Sequence, residues 1–180
     1  FYKELKKKRE DSHNLMEFVT EQLIKFGQAQ VKAGADLIAI SDPSGTGEIL
    51  GPKYFEEYAV KYINMLIDGI REVDKDFPVI VHICGQVRSV YSQIKELKAN
   101  AFSFDAVVNV KDIREQMKDR ILMGNVSSFA LEFADEEKVR KLTENVINSG
   151  INIISPACGL GTQSSMKNIQ AMLKTIKGEN

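Results

Sequence analysis

The feature that most constrains the fold of this chain is a repeated alternation of short apolar runs with amphipathic segments. Runs such as VIVHI (79–83) and INIIS (151–155) are apolar at most positions. A strand of this kind is buried on both faces, which is typical of a parallel sheet whose crossover connections are helices. The sequence therefore predicts five strands, each followed by a helix, near 37–42, 79–84, 101–105, 121–126 and 151–157.

Helix boundaries are predicted from capping residues and from apolar residues at helical spacing. Asn14 and Glu17 resemble a capping box that would open the first long helix, and Gly34 resembles its C-terminal stop. After the first strand, Pro52 is expected to open the next helix. Further helices are predicted near 87–98, 111–118, 135–148 and 165–177.

Polar and sulfur-bearing side chains fall at or near the C-terminal ends of these strands. They are Asp42, His82 with Cys84, Asp105, Asn125 and Cys158. In a (β/α) barrel such strand ends converge on one mouth, where these enzymes keep their chemistry, whereas an open sheet would spread most of them apart. A complete barrel needs eight strands and about 250 residues. We therefore expect the C-terminal five βα units of a (β/α)8 TIM barrel, as one truncated domain over residues 1–180.

Composition excludes several classes of partner. The 24 Lys and Arg residues nearly balance the 25 Asp and Glu residues, so no basic field suggests a nucleic acid. No apolar run approaches the roughly 20 residues that span a bilayer, and no export signal opens the chain, which favours a cytoplasmic protein with reduced thiols. Two unpaired sheet edges would remain, and forming a homo-oligomer is one way to cover them.

His82, Cys84 and Cys158 are the candidate metal ligands. Residues i and i+2 of a strand point to the same face, and Cys158 ends the last strand, which closes a barrel. Two thiolates and one imidazole suit Zn²⁺, and an open fourth position would make the site catalytic. The alternatives are a buried core pair and a cysteine nucleophile that His82 activates, but i and i+2 side chains are poorly placed as base and nucleophile. His13, the other histidine, is expected to be exposed and without a role.

Three glycines flank these ligands. Gly85 follows Cys84, while Gly159 and Gly161 follow Cys158. Glycine permits sharp turns and close backbone approach, so these positions are predicted to border the bound cofactor.

Three polar residues at strand ends are further candidates for the catalytic site. Asp105 is expected to complete the fourth coordination position in the resting enzyme and to yield it to an incoming thiol; otherwise it caps a helix or loop. Asp42 either bonds a substrate group or caps the turn over 44–47. Asn125 either binds a ligand or bonds neighbouring backbone.

Several stretches together resemble a known family. They are GADLIAISDPSGTGEILGPKYFEEYAVKYINMLI, PVIVHICG, FSFD, ILMGNV and IISPACGLGTQSSMKNIQAM. They are similar to the C-terminal half of the uroporphyrinogen decarboxylase superfamily, within its branch of corrinoid-dependent methylcobamide:coenzyme M methyltransferases. This resemblance implies a (β/α) barrel, one zinc, and methyl transfer from a methylated corrinoid protein to a small-molecule acceptor. The acceptor would be a thiol such as coenzyme M, or tetrahydrofolate.

Two other functions remain open. One is a decarboxylase of the uroporphyrinogen type that acts on a tetrapyrrole, which has no need of the His-Cys-Cys set. The other is a non-catalytic domain that docks a metal or a corrinoid protein at the barrel mouth.

Overall fold

The five predicted strands form one parallel sheet in the computed structural model, which describes residues 2–179. The strands are adjacent in chain order, from β1 at one edge to β5 at the other. Their bounds are β1 Ile38–Asp42, β2 Val79–Ile83, β3 Ala101–Phe104, β4 Ile121–Val126 and β5 Ile153–Pro156. The predicted strands are confirmed, and the structure shortens four of them by one to three residues.

Helices connect the strands and cover one face of the sheet. The α-helices are α1 Glu4–Lys7, α2 Arg9–Lys32, α3 Gly47–Tyr54, α4 Lys61–Ile70, α5 Tyr91–Lys95, α6 Val110–Gln116, α7 Ser128–Phe133, α8 Glu136–Asn148 and α9 Met166–Lys177. A π-helical segment, Phe55–Val60, joins α3 to α4, and a short 3₁₀ segment, Arg88–Val90, precedes α5. No described helix is both long and apolar enough to cross a membrane.

Of two helix starts predicted from the sequence, one is wrong and one is confirmed. Asn14 and Glu17 lie inside α2, which begins at Arg9, so they form no capping box. The predicted start at Pro52 is confirmed, because Gly51 before it is non-helical (φ +65°, ψ 169°) and divides α3 at a kink. A short first turn precedes this kink, and the Thr46 hydroxyl caps it by accepting the Ile49 N–H at 3.2 Å. Helix α7 was not predicted from the sequence, since its six residues are too few to show a helical period.

The two faces of the sheet differ in burial. On β2, Val79, Val81 and Ile83 are fully buried against the helices, while the alternate residues Ile80 and His82 are half-buried on the opposite, concave face. The main core therefore lies between the sheet and its helices. The concave face carries the side chains that could meet a ligand.

His13 is not the exposed residue that its polar neighbours suggest. Its imidazole lies between α2 and the π-helical segment, with Nδ1 2.8 Å from the Tyr62 hydroxyl and Nε2 2.9 Å from a Glu57 oxygen. It also stacks on Tyr58 at a centroid distance of 4.6 Å. Burial acts to raise the pKa of Glu57, but hydrogen bonds from His13 and Arg9 outweigh it, so that pKa is lowered. The prediction of a histidine without a role is wrong: His13 fastens α2 to its neighbour.

An asparagine braces the start of β2 at the amino end of the sheet. The Asn100 Oδ1 accepts the N–H of buried Val79 at 2.9 Å and a hydrogen bond from Arg71 Nη2 at 2.7 Å. The side chain therefore supplies the partner that the first backbone N–H of β2 would otherwise lack. The same arrangement recurs at β4, with both bonds at 3.0 Å, in the trio Asn152, Leu122 and Arg114.

We predict that Asn100→Ala lowers the free energy of unfolding by about 1–3 kcal/mol, because it leaves the buried Val79 N–H without a partner. Urea denaturation followed by circular dichroism measures this change. Asn14→Ala is the matched control, since Asn14 is exposed in α2 and its replacement should stay within about 0.5 kcal/mol of the parent. Equal losses in the two variants would show that the brace contributes nothing.

Candidate metal centre

His82 and Cys84 emerge together on the concave face at the carboxyl end of β2. His82 is in the strand, and Cys84 is the first residue after it, so strand geometry continues the same alternation of side chains. His82 Nε2 lies 3.2 Å from Cys84 Sγ. Both side chains are half-buried, which keeps them accessible from the concave side.

Cys158 reaches the same point from the other end of the sheet. It follows β5, which lies three strands away from β2, a distance of about 14 Å in a flat sheet. The Cys84 and Cys158 Sγ atoms are nevertheless 3.6 Å apart, so the sheet curls as in a barrel. Ser128 holds this turn, because its hydroxyl accepts the Cys158 N–H at 3.3 Å and donates to the Cys158 carbonyl at 3.2 Å.

The three donors fit a single cation. One nitrogen and two free thiol sulfurs lie within 4.8 Å of one another. Tetrahedral zinc with bonds of about 2.0–2.3 Å places its nitrogen and sulfur ligands about 3.5–3.8 Å apart. The His82–Cys84 and Cys84–Cys158 separations are close to these values, and imidazole with thiolates is a borderline-soft donor set. Within the described chain, no carboxylate belongs to this cluster.

The charge around Cys84 also favours a cation. Burial raises the pKa of this thiol to about 11, aided by the hydrogen bond and charge of Cys158 and by the carboxylates of Asp105 and Asp42. These effects disfavour the thiolate form of Cys84, and a cation bound next to the sulfur would stabilise that form. Burial lowers the pKa of His82, partly offset by Asp105, so at neutral pH its imidazole is uncharged and can donate a lone pair.

Asp105 lies beside the cluster and orders the loop after Cys84. One carboxylate oxygen accepts the Gly85 N–H at 3.0 Å, and the other accepts the Val107 N–H at 3.2 Å. Its charge acts on both His82 and Cys84, as their pKa values show. The structure therefore places Asp105 next to the donors, with its oxygens engaged by backbone.

The Asp42 carboxylate caps the turn that follows β1. Its Oδ1 accepts the backbone N–H groups of Ser44 at 3.0 Å and Gly45 at 2.7 Å. This is the turn-capping arrangement that the sequence left open as one of two possibilities. Its carboxylate still contributes to the field at Cys84.

Asn125 is buried, with 6% of its surface exposed. Its amide donates to the carbonyl oxygens of Asp105 at 3.0 Å and Val108 at 3.1 Å. Asn125 thus bonds neighbouring backbone and holds the Asp105 loop against β4.

The three flanking glycines differ in their surroundings. Gly85 has φ +74°, and a Cβ there would lie 3.1 Å from Thr46 Cγ2, so its backbone needs glycine. A Cβ on Gly161 would overlap the Glu132 carboxylate. A Cβ on Gly159 would meet open space, and this residue does not have a positive φ.

Ser103 is a site residue that the sequence patterns do not single out. It pairs with His82 across the β2–β3 ladder, is 5% exposed, and has its Oγ 3.0 Å from His82 Nδ1. The available signal was a polar residue inside the apolar strand AFSF, two positions before Asp105 and hence on the same face.

Comparison with known proteins shows the family and the fold of this chain. The uroporphyrinogen decarboxylase (URO-D) family matches residues 1–178, so the chain belongs to this family. A solved structure, a methyltransferase from Methanosarcina mazei, has a TM-score of 0.89 at 24% identity, over 98% of this chain and 52% of that one. The resemblance and the five-stranded part of a (β/α) barrel predicted from sequence are confirmed.

The curated relatives that this chain matches include methyltransferases and a decarboxylase. The methylcobamide:CoM methyltransferase MtbA of Methanosarcina acetivorans is 29% identical over 91% of this chain and 48% of its own length. The methylcobamide:CoM methyltransferase MtaA of Methanosarcina barkeri is 26% identical over 93% and 49%, respectively. A uroporphyrinogen decarboxylase of Thermodesulfovibrio yellowstonii is 26% identical over 78% and 39%. The chain spans about half the length, or less, of these curated relatives.

We predict that Cys84 of the metal-free protein is alkylated slowly at neutral pH and that the rate rises toward pH 11, because only the thiolate reacts. Asp105→Asn should speed alkylation at a given pH, since removing the carboxylate charge lowers the Cys84 pKa. Iodoacetamide labelling with a chelator present, quantified by peptide mass spectrometry, measures the rate. Asp119→Asn, just before β4 at the opposite end of the sheet, is the control. A rate profile with an ordinary cysteine midpoint would contradict the burial and charge described here.

Proposed function

We propose that the protein carrying this chain is a zinc-dependent methyltransferase that moves a methyl group from a methylated corrinoid to a thiol acceptor. The observation that supports this proposal most directly is the cluster of His82, Cys84 and Cys158 at the mouth. The names of the methylcobamide:CoM methyltransferase relatives add support.

The chain's own residues would bind the ion and leave it open on one side. His82, Cys84 and Cys158 supply three ligands, and zinc of this kind takes a fourth from water or substrate. Cys158 is exposed and the other two donors are half-buried, so the fourth direction is reachable from the concave side. An acceptor thiol can therefore approach the cluster without displacing any of these three ligands.

Bound zinc would supply Lewis acidity that lowers the pKa of the acceptor thiol and so provides a thiolate at neutral pH. In the transfer, a sulfur–carbon bond forms as the cobalt–carbon bond breaks. The bonding electrons remain on cobalt, the acceptor becomes a thioether, and the thiol proton passes to solvent.

Asp105 has two roles in this proposal. Its bonds to the Gly85 and Val107 N–H groups hold the loop that carries Cys84 Sγ. Completing the fourth coordination position in the resting enzyme, as predicted from sequence, requires Asp105 to exchange one of these bonds for the metal. Asn125 supports the first role, because its amide donates to the Asp105 carbonyl oxygen and so holds the backbone of this loop.

The methyl donor is proposed to be a corrinoid bound to a separate protein that docks over the mouth. Coenzyme M is the proposed acceptor, in line with the names of the relatives, and tetrahydrofolate is the alternative that the sequence left open. The acceptor class is decided by assay of each compound with the same methyl donor.

We predict about one zinc per chain, measured by elemental analysis after reconstitution under reducing conditions. Cys84→Ser, Cys158→Ser and His82→Ala should each weaken zinc binding by more than the roughly 10- to 100-fold that loss of an outer-shell partner costs. His13→Ala removes the other histidine and is the matched control, which should keep its zinc although it loses stability. Full zinc content in all three ligand variants would contradict the proposed centre.

We predict that the protein carrying this chain demethylates methylcobalamin when coenzyme M is supplied. The rate should fall by at least roughly 100-fold in Cys84→Ser, since a bound metal ion contributes several kcal/mol to such reactions. The change in the visible spectrum of the corrinoid follows the reaction, and mass spectrometry identifies the thioether. Asp105→Asn should retain zinc and lose part of the rate.

The other candidate functions predict different outcomes of the same assays. A tetrapyrrole decarboxylase, a class also present among the relatives, would turn over uroporphyrinogen and hold no zinc. A docking domain without catalysis would bind zinc, but no acceptor thiol would coordinate it and no methyl group would be transferred.

A further inference from the structure

The His82 imidazole has a second partner, Ser103, which is not one of the candidate metal ligands. The β2–β3 ladder places Ser103 directly beside His82, and the Ser103 Oγ lies 3.0 Å from His82 Nδ1. The opposite ring nitrogen, Nε2, faces Cys84 Sγ at 3.2 Å. The imidazole thus has a partner at each ring nitrogen, the Ser103 hydroxyl at Nδ1 and the Cys84 thiol at Nε2.

We propose that Ser103 is a positioning residue for the metal centre: it accepts the Nδ1 proton of His82 and so directs the Nε2 lone pair at the ion. This inference rests on the proposed zinc site and adds to it a residue that touches neither metal nor substrate. An imidazole can ligate only through a nitrogen without a proton, and the bond at the other nitrogen selects which one that is.

The surroundings of Ser103 suit this role. It is 5% exposed, so bulk water does not compete for the hydrogen bond, and the ladder fixes its height relative to His82. The other neighbour of His82 in the sheet is Ser41, which pairs with it from β1. Ser41 is exposed, and it makes no hydrogen bond to the imidazole within the described chain. The same residue type therefore flanks His82 on both sides, and only one copy is bonded to it.

Zinc affinity is the first test. Titration of Zn²⁺ against a chromophoric chelator should show that Ser103→Ala weakens binding about 10- to 100-fold, as expected for loss of an outer-shell partner. Ser103→Thr keeps the hydroxyl and should restore most of the affinity. Ser41→Ala is the matched control and should bind zinc as the parent does. Thermal melting of the metal-free variants establishes that each is folded.

The second test asks which nitrogen of the His82 imidazole carries the proton, and it needs no metal. Nitrogen-15 NMR of the metal-free protein should show His82 with its proton on Nδ1 in the parent, in Ser41→Ala and in Ser103→Thr. In Ser103→Ala the two ring nitrogens should move toward averaged chemical shifts. A merely structural serine would leave these shifts unchanged.

The outcomes separate this inference from the proposed function. If the parent binds zinc and Ser103→Ala binds it equally well, with His82 unchanged by NMR, Ser103 does not position the ligand. If the parent binds no zinc, the proposed function fails, while the NMR comparison still decides whether Ser103 sets the imidazole. Equal loss of affinity in Ser103→Thr and Ser103→Ala would show that packing, not the hydroxyl, is the cause.

Discussion

The curl of the parallel sheet is the constraint on which the site depends. Strands β2 and β5 are separated by two others, yet Cys84 and Cys158 meet at 3.6 Å because the sheet bends toward its concave face. Helices packed on the convex face maintain this bend by burying the alternate strand residues, such as Val81 and Ile83. The core on one face therefore sets the distance between two sulfur atoms on the other.

Loops at the mouth are connected to one another as well as to the sheet. Asn125 holds the Asp105 backbone, Asp105 holds the Gly85 N–H, and Gly85 follows Cys84, so three consecutive strands share one chain of bonds. Ser128 does the same for Cys158. Such a chain reduces the reorganisation that a metal site needs when it binds its ion.

Much of this arrangement is predictable from the sequence, and the exceptions have physical reasons. Strand positions follow from apolar runs, and the i, i+2 spacing places His82 and Cys84 on one face. The roles of Ser103 and His13 were missed because each depends on a contact between residues distant in sequence: a ladder partner for one and a helix partner for the other. Register and helix packing are decided by tertiary structure, which local pattern does not specify.

The asparagine braces lie at the end of the sheet away from the cysteines. Each one secures the start of a strand through an arginine that comes from the helical layer, at β2 and again at β4. These braces do not involve the loops at the mouth, so a change in those loops leaves the braced strand starts in place. This separation lets one scaffold change the loops at its mouth while the strands that carry the candidate metal ligands keep their spacing.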